Sequence, residues 1–234
     1  MKNTYSRTWF ELFLQTRSYT KQEIAFVERN LPDPPFHHVL DLCCGEGRLT
    51  NLLAEKDYKM MGVDLDAEAL SIAAHHSKGV VQYLELDMRH VHEVPGMFDA
   101  VILIWQSFGY FNEAGNRDII RQISEKLRPG GRFILDIYNK AYWLNNQGER
   151  EFSRKEVKVH SEVTIIDGRL RSVLSYGGGL GMDVFEWQLY SLDEIQELAK
   201  AFGLELLLSC TECDEGKPVS AEKPMMQIVF EKKS

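Results

Sequence analysis

Val39-Leu-Asp-Leu-Cys-Cys-Gly-Glu-Gly-Arg-Leu49 is the stretch whose reading decides the fold. His38 to Cys43 reads as a short apolar strand, Cys44-Gly-Glu-Gly47 as a tight loop, and Arg48 to Lys56 as a helix. A strand that turns through such a loop into a helix brings backbone N–H groups close to a ligand at the helix N-terminus.

Outward from this unit, strands and helices alternate. Tyr58 to Asp64 predicts a second strand, Ala67 to Lys78 an Ala-rich helix, and Val80 to Leu86 a third strand. Phe98 to Trp105 predicts a fourth strand, with the continuous apolar run Ala-Val-Ile-Leu-Ile. Glu113 to Leu127 predicts a helix stopped by Pro129-Gly-Gly131, and Arg132 to Tyr138 a fifth strand. Continuous apolar strands between helices predict an α/β fold, a doubly wound and mostly parallel sheet covered on both faces. Right-handed crossovers then put the ligand crevice at the C-terminal strand ends. Upstream, Thr20-Lys-Gln-Glu23 reads as a capping box for a helix that runs toward Leu31 and stops at Pro32, Pro34 and Pro35. The arm before it is rich in aromatics: Tyr5, Trp9, Phe10, Phe13 and Tyr19.

The pattern changes after Tyr138. Glu156 to Ile166 and Arg169 to Tyr176 alternate polar and apolar residues around a hairpin signal, Asp167-Gly168. Gly177 to Gly181 reads as a turn and Val184 to Tyr190 as a further strand, which together predict an antiparallel β insert. Ser191-Leu-Asp-Glu194 is a second capping box, for a helix to Phe202. Leu204 to Ser209 and Gln227 to Glu231 complete a seven-stranded main sheet. The expected division is a core of residues 1–141 and 191–234, with 142–190 as an insert capping the substrate side.

Charge narrows the ligand. A nicotinamide-type G-x-G-x-x-G loop would need glycine at positions 43, 45 and 48, and only Gly45 fits. Asp41 and Glu46 put two carboxylates around the loop. They are hostile to a pyrophosphate and suit a ligand with an ammonium and a sulfonium. Asp64 closes the second strand, where an acid can accept both hydrogen bonds of a ribose diol. Asp87 ends the third strand, where an adenine amino group would lie. Three acids at successive strand ends around one Gly loop form a far more specific pattern than any one strand-end Asp, which commonly serves as a turn former or cap.

These residues resemble the class I S-adenosylmethionine-dependent methyltransferases, over about residues 36 to 138 closely and the final helix and strands loosely. The family's Asp-x-Gly-x-Gly-x-Gly motif is matched at Asp41, Gly45 and Gly47, with Cys43 in place of the first glycine. Phe98-Asp99 and Leu127-Arg-Pro-Gly-Gly131 resemble the family as well. The resemblance implies a Rossmann-like methyltransferase fold with S-adenosylmethionine as cofactor. It implies that Asp64 with Leu65 holds the ribose, Asp87 with Met88 the adenine, and that Trp105 lies beside the methionine portion. Ser107-Phe-Gly-Tyr-Phe111 and the insert are similar to the small-molecule branch, in particular the amino-sugar N,N-dimethyltransferases.

The substrate side is less specific. Gln106, Ser107, Tyr110, Tyr138 and Trp187 are the candidates, and no residue is identified as a catalytic base. Ile104-Trp-Gln-Ser107 lacks the Asn/Asp-Pro-Pro-Tyr of base aminomethylases. It also lacks the acid that a catechol-type magnesium site would want, so no metal is expected. The 234-residue chain carries a formal charge of −8, which disfavours nucleic-acid partners. No run approaches a bilayer span and Met1 to Phe10 has no apolar signal core, so a cytoplasmic location and free thiols are expected. The expected function is methyl transfer to N or O of a small metabolite by a monomer or homodimer. The alternatives are an RNA methyltransferase and a non-catalytic S-adenosylmethionine-binding protein.

Overall fold

The computed structural model describes residues 5–13, 17–31, 36–78 and 81–233. Helices α1 (Arg7–Phe13) and α2 (Arg17–Asn30) lead into β1 (His38–Leu42), α3 (Arg48–Ala54), β2 (Lys59–Asp64), α4 (Ala67–His76) and β3 (Val81–Glu85). A 3-10 helix (Met88–Glu93), β4 (Phe98–Leu103), α5 (Glu113–Lys126), β5 (Leu127–Tyr138) and α6 (Lys140–Leu144) follow. Next come β6 (Gly148–Arg154), β7 (Val157–Ile166), β8 (Arg169–Tyr176), β9 (Met182–Gln188), α7 (Leu192–Lys200), β10 (Leu204–Cys210) and β11 (Met225–Lys232).

The main sheet has seven strands in the order β10-β11-β5-β4-β1-β2-β3. Pairs from β5 to β3 are parallel, and β11 runs antiparallel to β5 and β10. This is the doubly wound, mostly parallel α/β architecture expected from the alternation, and it agrees with the Rossmann-like fold that the resemblance implies. The continuous apolar run of β4 follows from burial on both faces. Ala100 and Ile102 join one core with α2 and α3, through Val27, Leu49 and Leu53. Val101 and Leu103 join the other with α5 and α7, through Ile119, Ile123 and Ile195. All four β4 side chains are fully buried. Truncating Ile102 to Ala should cost about 2–5 kcal/mol. The strand order reverses at β1, between β2 and β4, so the loops after β1 and β4 flank the crevice.

A second sheet, in the order β6-β7-β8-β9, is antiparallel throughout and lies within residues 142–190. Asp167 and Gly168 both have positive φ, 49° and 74°, and close the β7–β8 hairpin. Gly177–Gly179 forms a 3-10 turn between β8 and β9. Strand β6, Gly-Glu-Arg-Glu-Phe-Ser-Arg, escapes sequence reading because it is an exposed edge and carries no buried period. The Ser191–Glu194 capping box is present on α7.

Two expectations about elements need correction. Helix α2 begins at Arg17, so Thr20 and Glu23 lie inside it and are no capping box; both side chains instead meet Arg48. Strand β5 begins at Leu127: Phe98 pairs Leu127 and Ala100 pairs Arg132, so Pro129-Gly-Gly131 is an irregularity within the strand. The aromatic arm contains helix α1. Val80, Pro32, Pro34, Pro35 and the Tyr19 side chain lie outside the described residues.

Candidate cofactor and acceptor site

The loop after β1 is built from backbone. Cys43, Gly45 and Gly47 have φ of 59°, 53° and 72°. The two glycines serve different ends. A Cβ on Gly47 would meet Tyr83 Oη at 2.5 Å and Ala73 Cβ at 2.8 Å, so glycine there lets α4 and β3 close behind the loop. A Cβ on Gly45 would meet nothing within 4 Å, so above Gly45 lies open space for a ligand to approach. Behind the loop, Asn51 Nδ2 donates to Ala73 O at 3.0 Å and Tyr83 Oη donates to Asn51 Oδ1 at 2.8 Å.

The acids fall into two positions. Asp41 is 4% exposed and lies beneath the loop, where Thr50 Oγ1 donates to its Oδ2 at 2.5 Å. It supports the loop and does not line it. Burial pushes its carboxyl up to about 7, against the lowering effect of the Thr50 bond. Asp64 stands at the rim: Gly45 N donates to its Oδ2 at 2.8 Å and Asp66 N to its Oδ1 at 3.0 Å. Glu46 and Leu65 are exposed at the same edge. Asp87 caps the 3-10 helix and is paired with Arg89, whose side-chain bonds hold its carboxyl below the ordinary value. Met88 is buried, with its Sδ 3.7 Å from Cys43 Sγ. Burial, followed by the Asp64, Asp41 and Asp87 charges, pushes the Cys43 thiol pKa well up, so it stays a neutral thiol among the acids.

After β4 the chain is strained. Trp105 and Gln106 are consecutive left-handed residues, with φ of 70° and 59°. Each such residue costs about 1–3 kcal/mol and persists only where its surroundings over-determine it. Asp136 supplies that constraint. Its Oδ2 accepts from Trp105 N and its backbone O from Gln106 N, both at 3.1 Å. Gln106, a substrate-side candidate from sequence, is a buried strut instead. Its Nε2 donates to Phe108 O at 3.2 Å and its Oε1 accepts from Tyr138 N. Burial lifts the Asp136 carboxyl to about 7, with the Gln227 bond acting the other way.

The turn presents aromatic and hydroxyl groups. Tyr110 Oη lies 2.9 Å from Tyr5 Oη, and Ser107, 8% exposed, donates to Ile104 O at 3.4 Å. Trp187 on β9 packs against Tyr138 and Tyr110, with ring centroids at 5.0 and 6.4 Å. Its Nε1 is buried and has no hydrogen-bond partner among the described residues. A buried donor left unmade is costly, and a ligand acceptor would satisfy it. Burial pushes the Tyr5 and Tyr110 hydroxyls far above their ordinary value, so neither is a base near neutral pH.

Sequence reasoning missed Arg48, Trp9, Tyr5 and Asp136. Arg48 Nη1 donates to Thr20 Oγ1 at 2.9 Å and to Glu23, and its guanidinium lies 5.7 Å from the Trp105 ring. Its place directly after Gly47 was the available signal. Among the described residues no cluster of three or more His, Cys, Asp or Glu could hold a metal ion.

The arrangement fits S-adenosylmethionine: open space above a left-handed glycine, acids at two adjoining strand ends, and an aromatic turn whose neighbouring cations are engaged, Arg48 with Thr20 and Glu23, Arg89 with Asp87, and Arg169 with the Tyr110 and Phe111 carbonyls. Residues 39–131 match the family profile described as a methyltransferase domain. Residues 39–131 therefore carry a methyltransferase domain. A Bacillus subtilis (strain 168) relative named as a methyltransferase, YqeM, is 32% identical over 123 residues, 50% of this chain and 48% of that protein. The chain spans about half the length of the curated relatives it matches. An S-adenosylmethionine-dependent methyltransferase structure from Clostridium acetobutylicum shares the methyltransferase fold at a TM-score of 0.78 and 22% identity, over 96% of this chain and 95% of that one. The sugar N-methyltransferase KedS8 from Streptoalloteichus sp. does so at 0.71 and 18%, over 100% of this chain and 95% of that one. These likenesses extend beyond the domain match and take in the second sheet.

Proposed function

We propose that this chain transfers a methyl group from S-adenosylmethionine to a nitrogen or oxygen of a small metabolite. The observation that carries the reading is the open space above left-handed Gly45 after β1, with a turn of neutral hydroxyls and aromatic rings after the neighbouring strand β4. When bound, S-adenosylmethionine supplies an electrophilic methyl on a sulfonium, already a good leaving group.

The protein's work is then placement and exclusion of water. Asp64 and Leu65 would hold the ribose, and Asp87 and Met88 the adenine. Cys43, Gly45, Gly47 and Trp105 would hold the methionine portion, and Glu46 would add negative charge at the rim. To engage a ribose, Asp64 would share its carboxylate between the Gly45 amide and the diol. On the acceptor side, Ser107, Tyr110, Tyr138 and the unpaired Trp187 Nε1 orient a neutral group. With no carboxylate or free ammonium among them, an amine acceptor arrives unprotonated, and a hydroxyl acceptor gains little base assistance.

Residues 142–190 serve as the acceptor-side cap. Three contacts support this: Arg169 donates to the Tyr110 and Phe111 carbonyls, Gln188 N donates to Gly109 O at 2.7 Å, and Trp187 packs on Tyr110. The reading places the enzyme in the reducing cytoplasm, in keeping with free Cys43 and Cys44 in the cofactor loop. Among the described residues no helix is long and apolar enough to cross a membrane.

The test is transfer of radiolabelled methyl from S-adenosylmethionine to panels of small amines and alcohols, with bulk tRNA in parallel. Label on a small acceptor supports the proposal. Label on tRNA alone would establish an RNA methyltransferase. Tight cofactor binding without turnover across a broad panel would favour a non-catalytic binding protein.

A further inference from the structure

We infer that Asp183 is a positioning residue that straps the N-terminal segment over the reacting end of the site. The inference rests on the placement of the cofactor proposed above. Asp183 lies on β9, 5% exposed, and its carboxylate gathers three donors. Ser6 N reaches Oδ1 at 3.1 Å, Ser6 Oγ reaches Oδ2 at 2.7 Å, and Tyr176 Oη reaches Oδ2 at 2.6 Å. Hydrogen bonds to an ionised, buried acceptor are the strong ones.

Ser6 does two things with one hydroxyl. It donates to Asp183 and accepts from Trp9 N at 3.1 Å, which caps the start of α1. Holding Ser6 therefore fixes the residues on either side of it. Tyr5 places its hydroxyl against Tyr110 and its ring 4.7 Å from Phe185. Trp9 places its ring 5.4 Å from Trp105. At the other end of α1, Lys155 Nζ, from the β6–β7 turn, donates to Glu11 O. The strap is thus tied to the second sheet at both ends and covers the Trp105–Tyr110 turn in between. Two open clefts, of about 410 and 740 Å³, lie along β6–β8 and beside α2, and neither is lined by Trp105 or Tyr110.

With Trp9 on Trp105 and Tyr5 on Tyr110, the strap closes the acceptor end of the site, so its opening gates release of a molecule seated there. The contacts of Ser6 with Asp183 and with α1 involve no residue of the proposed cofactor loop. Weakening them therefore speeds entry and exit together and moves affinity little. That signature separates a strap from an ordinary stabilising contact.

The experiment is stopped-flow measurement of S-adenosylhomocysteine association and dissociation by tryptophan fluorescence, with melting temperature and equilibrium affinity alongside. Ser6→Ala should accelerate dissociation about tenfold, through loss of a cap and a charge-assisted bond. Its affinity should change less than about threefold, by the same reasoning. Ser6→Thr, which keeps the hydroxyl, should restore the original rate. Tyr176→Phe, which removes a donor to Asp183 but leaves Ser6 in place, should lower the melting temperature and leave the dissociation rate unchanged. An unchanged rate in Ser6→Ala would overturn the proposal. Equal acceleration in Tyr176→Phe would also overturn it, by making Asp183 a stability element of the second sheet. Failure of the unaltered protein to bind S-adenosylhomocysteine would overturn the site placement itself, and is read separately from either.

Discussion

The two walls of the proposed site are made in different ways. The cofactor wall is local: one strand, one loop and one helix, with Asp64 a strand away and the loop's own backbone as the working surface. The proposed acceptor wall is assembled from side chains of four segments, residues 5–13, the turn after β4, the end of β5, and β9. A local, backbone-built wall tolerates side-chain change everywhere except where a Cβ would intrude. A convergent wall depends on what holds its parts together.

Position 45 gives the sharpest break in that comparison. Gly45→Val should abolish detectable S-adenosylhomocysteine binding by calorimetry, a loss above about 100-fold, because the branched side chain fills the open space and resists positive φ. Circular dichroism should show the protein still folded. Gly47→Ala should do the reverse in part. Its Cβ collides with Tyr83 and Ala73, so melting temperature should fall more than in Gly45→Val. Equal effects of the two substitutions on both readouts would erase the distinction between a ligand-facing and a packing glycine.

Asp64→Ala comes next, with binding weakened by about 1–3 kcal/mol, or about 6- to 150-fold. Part of that loss comes from the freed Gly45 amide. Unchanged affinity by calorimetry would remove Asp64 from the cofactor wall.

On the acceptor wall, Tyr110→Phe should reduce kcat by no more than about 100-fold with an acceptor that turns over, at the low end of general-base effects. Burial keeps that hydroxyl protonated, so it orients and does not abstract. Complete loss of turnover with cofactor affinity intact would mean that Tyr110 does chemistry.

A separate effect, read on stability and not on binding, concerns pH. Asp41 and Asp136 have folded pKa values of about 7 against an ordinary 3.8, because both are buried. Between those values the folded protein holds protons that the unfolded chain has released, so stability falls as pH rises from about 4 to about 7 and levels off above. Asp136→Asn should flatten part of that slope in melting curves taken at about pH 5 and about pH 8. A steeper slope would contradict the sign.

The contrast also explains what the sequence made legible. The cofactor wall could be read because its signals are short-range: an apolar run, left-handed glycines, and acids at predicted strand ends. The same logic recovered the α7 capping box and the Asp167-Gly168 hairpin. It failed at Thr20 and Glu23, whose capping-box spacing is spent on Arg48 across the fold. It failed at Gln106, because nothing in the sequence marks a left-handed glutamine held by an aspartate 30 positions downstream. The aromatics of residues 5–13 were visible, but their partners after β4 and on β9 lie some 100 and 180 residues away. Strand β6 was invisible because an exposed edge has no buried face to impose a period.

The most direct test of the account is a crystal structure of the protein with S-adenosylhomocysteine. The account predicts adenosine between Asp64 and Asp87, the homocysteine over Gly45 and against Trp105, and the sulfur facing Tyr110. A ligand bound at another strand edge, or with its adenine toward Tyr110 and Trp187, would contradict it.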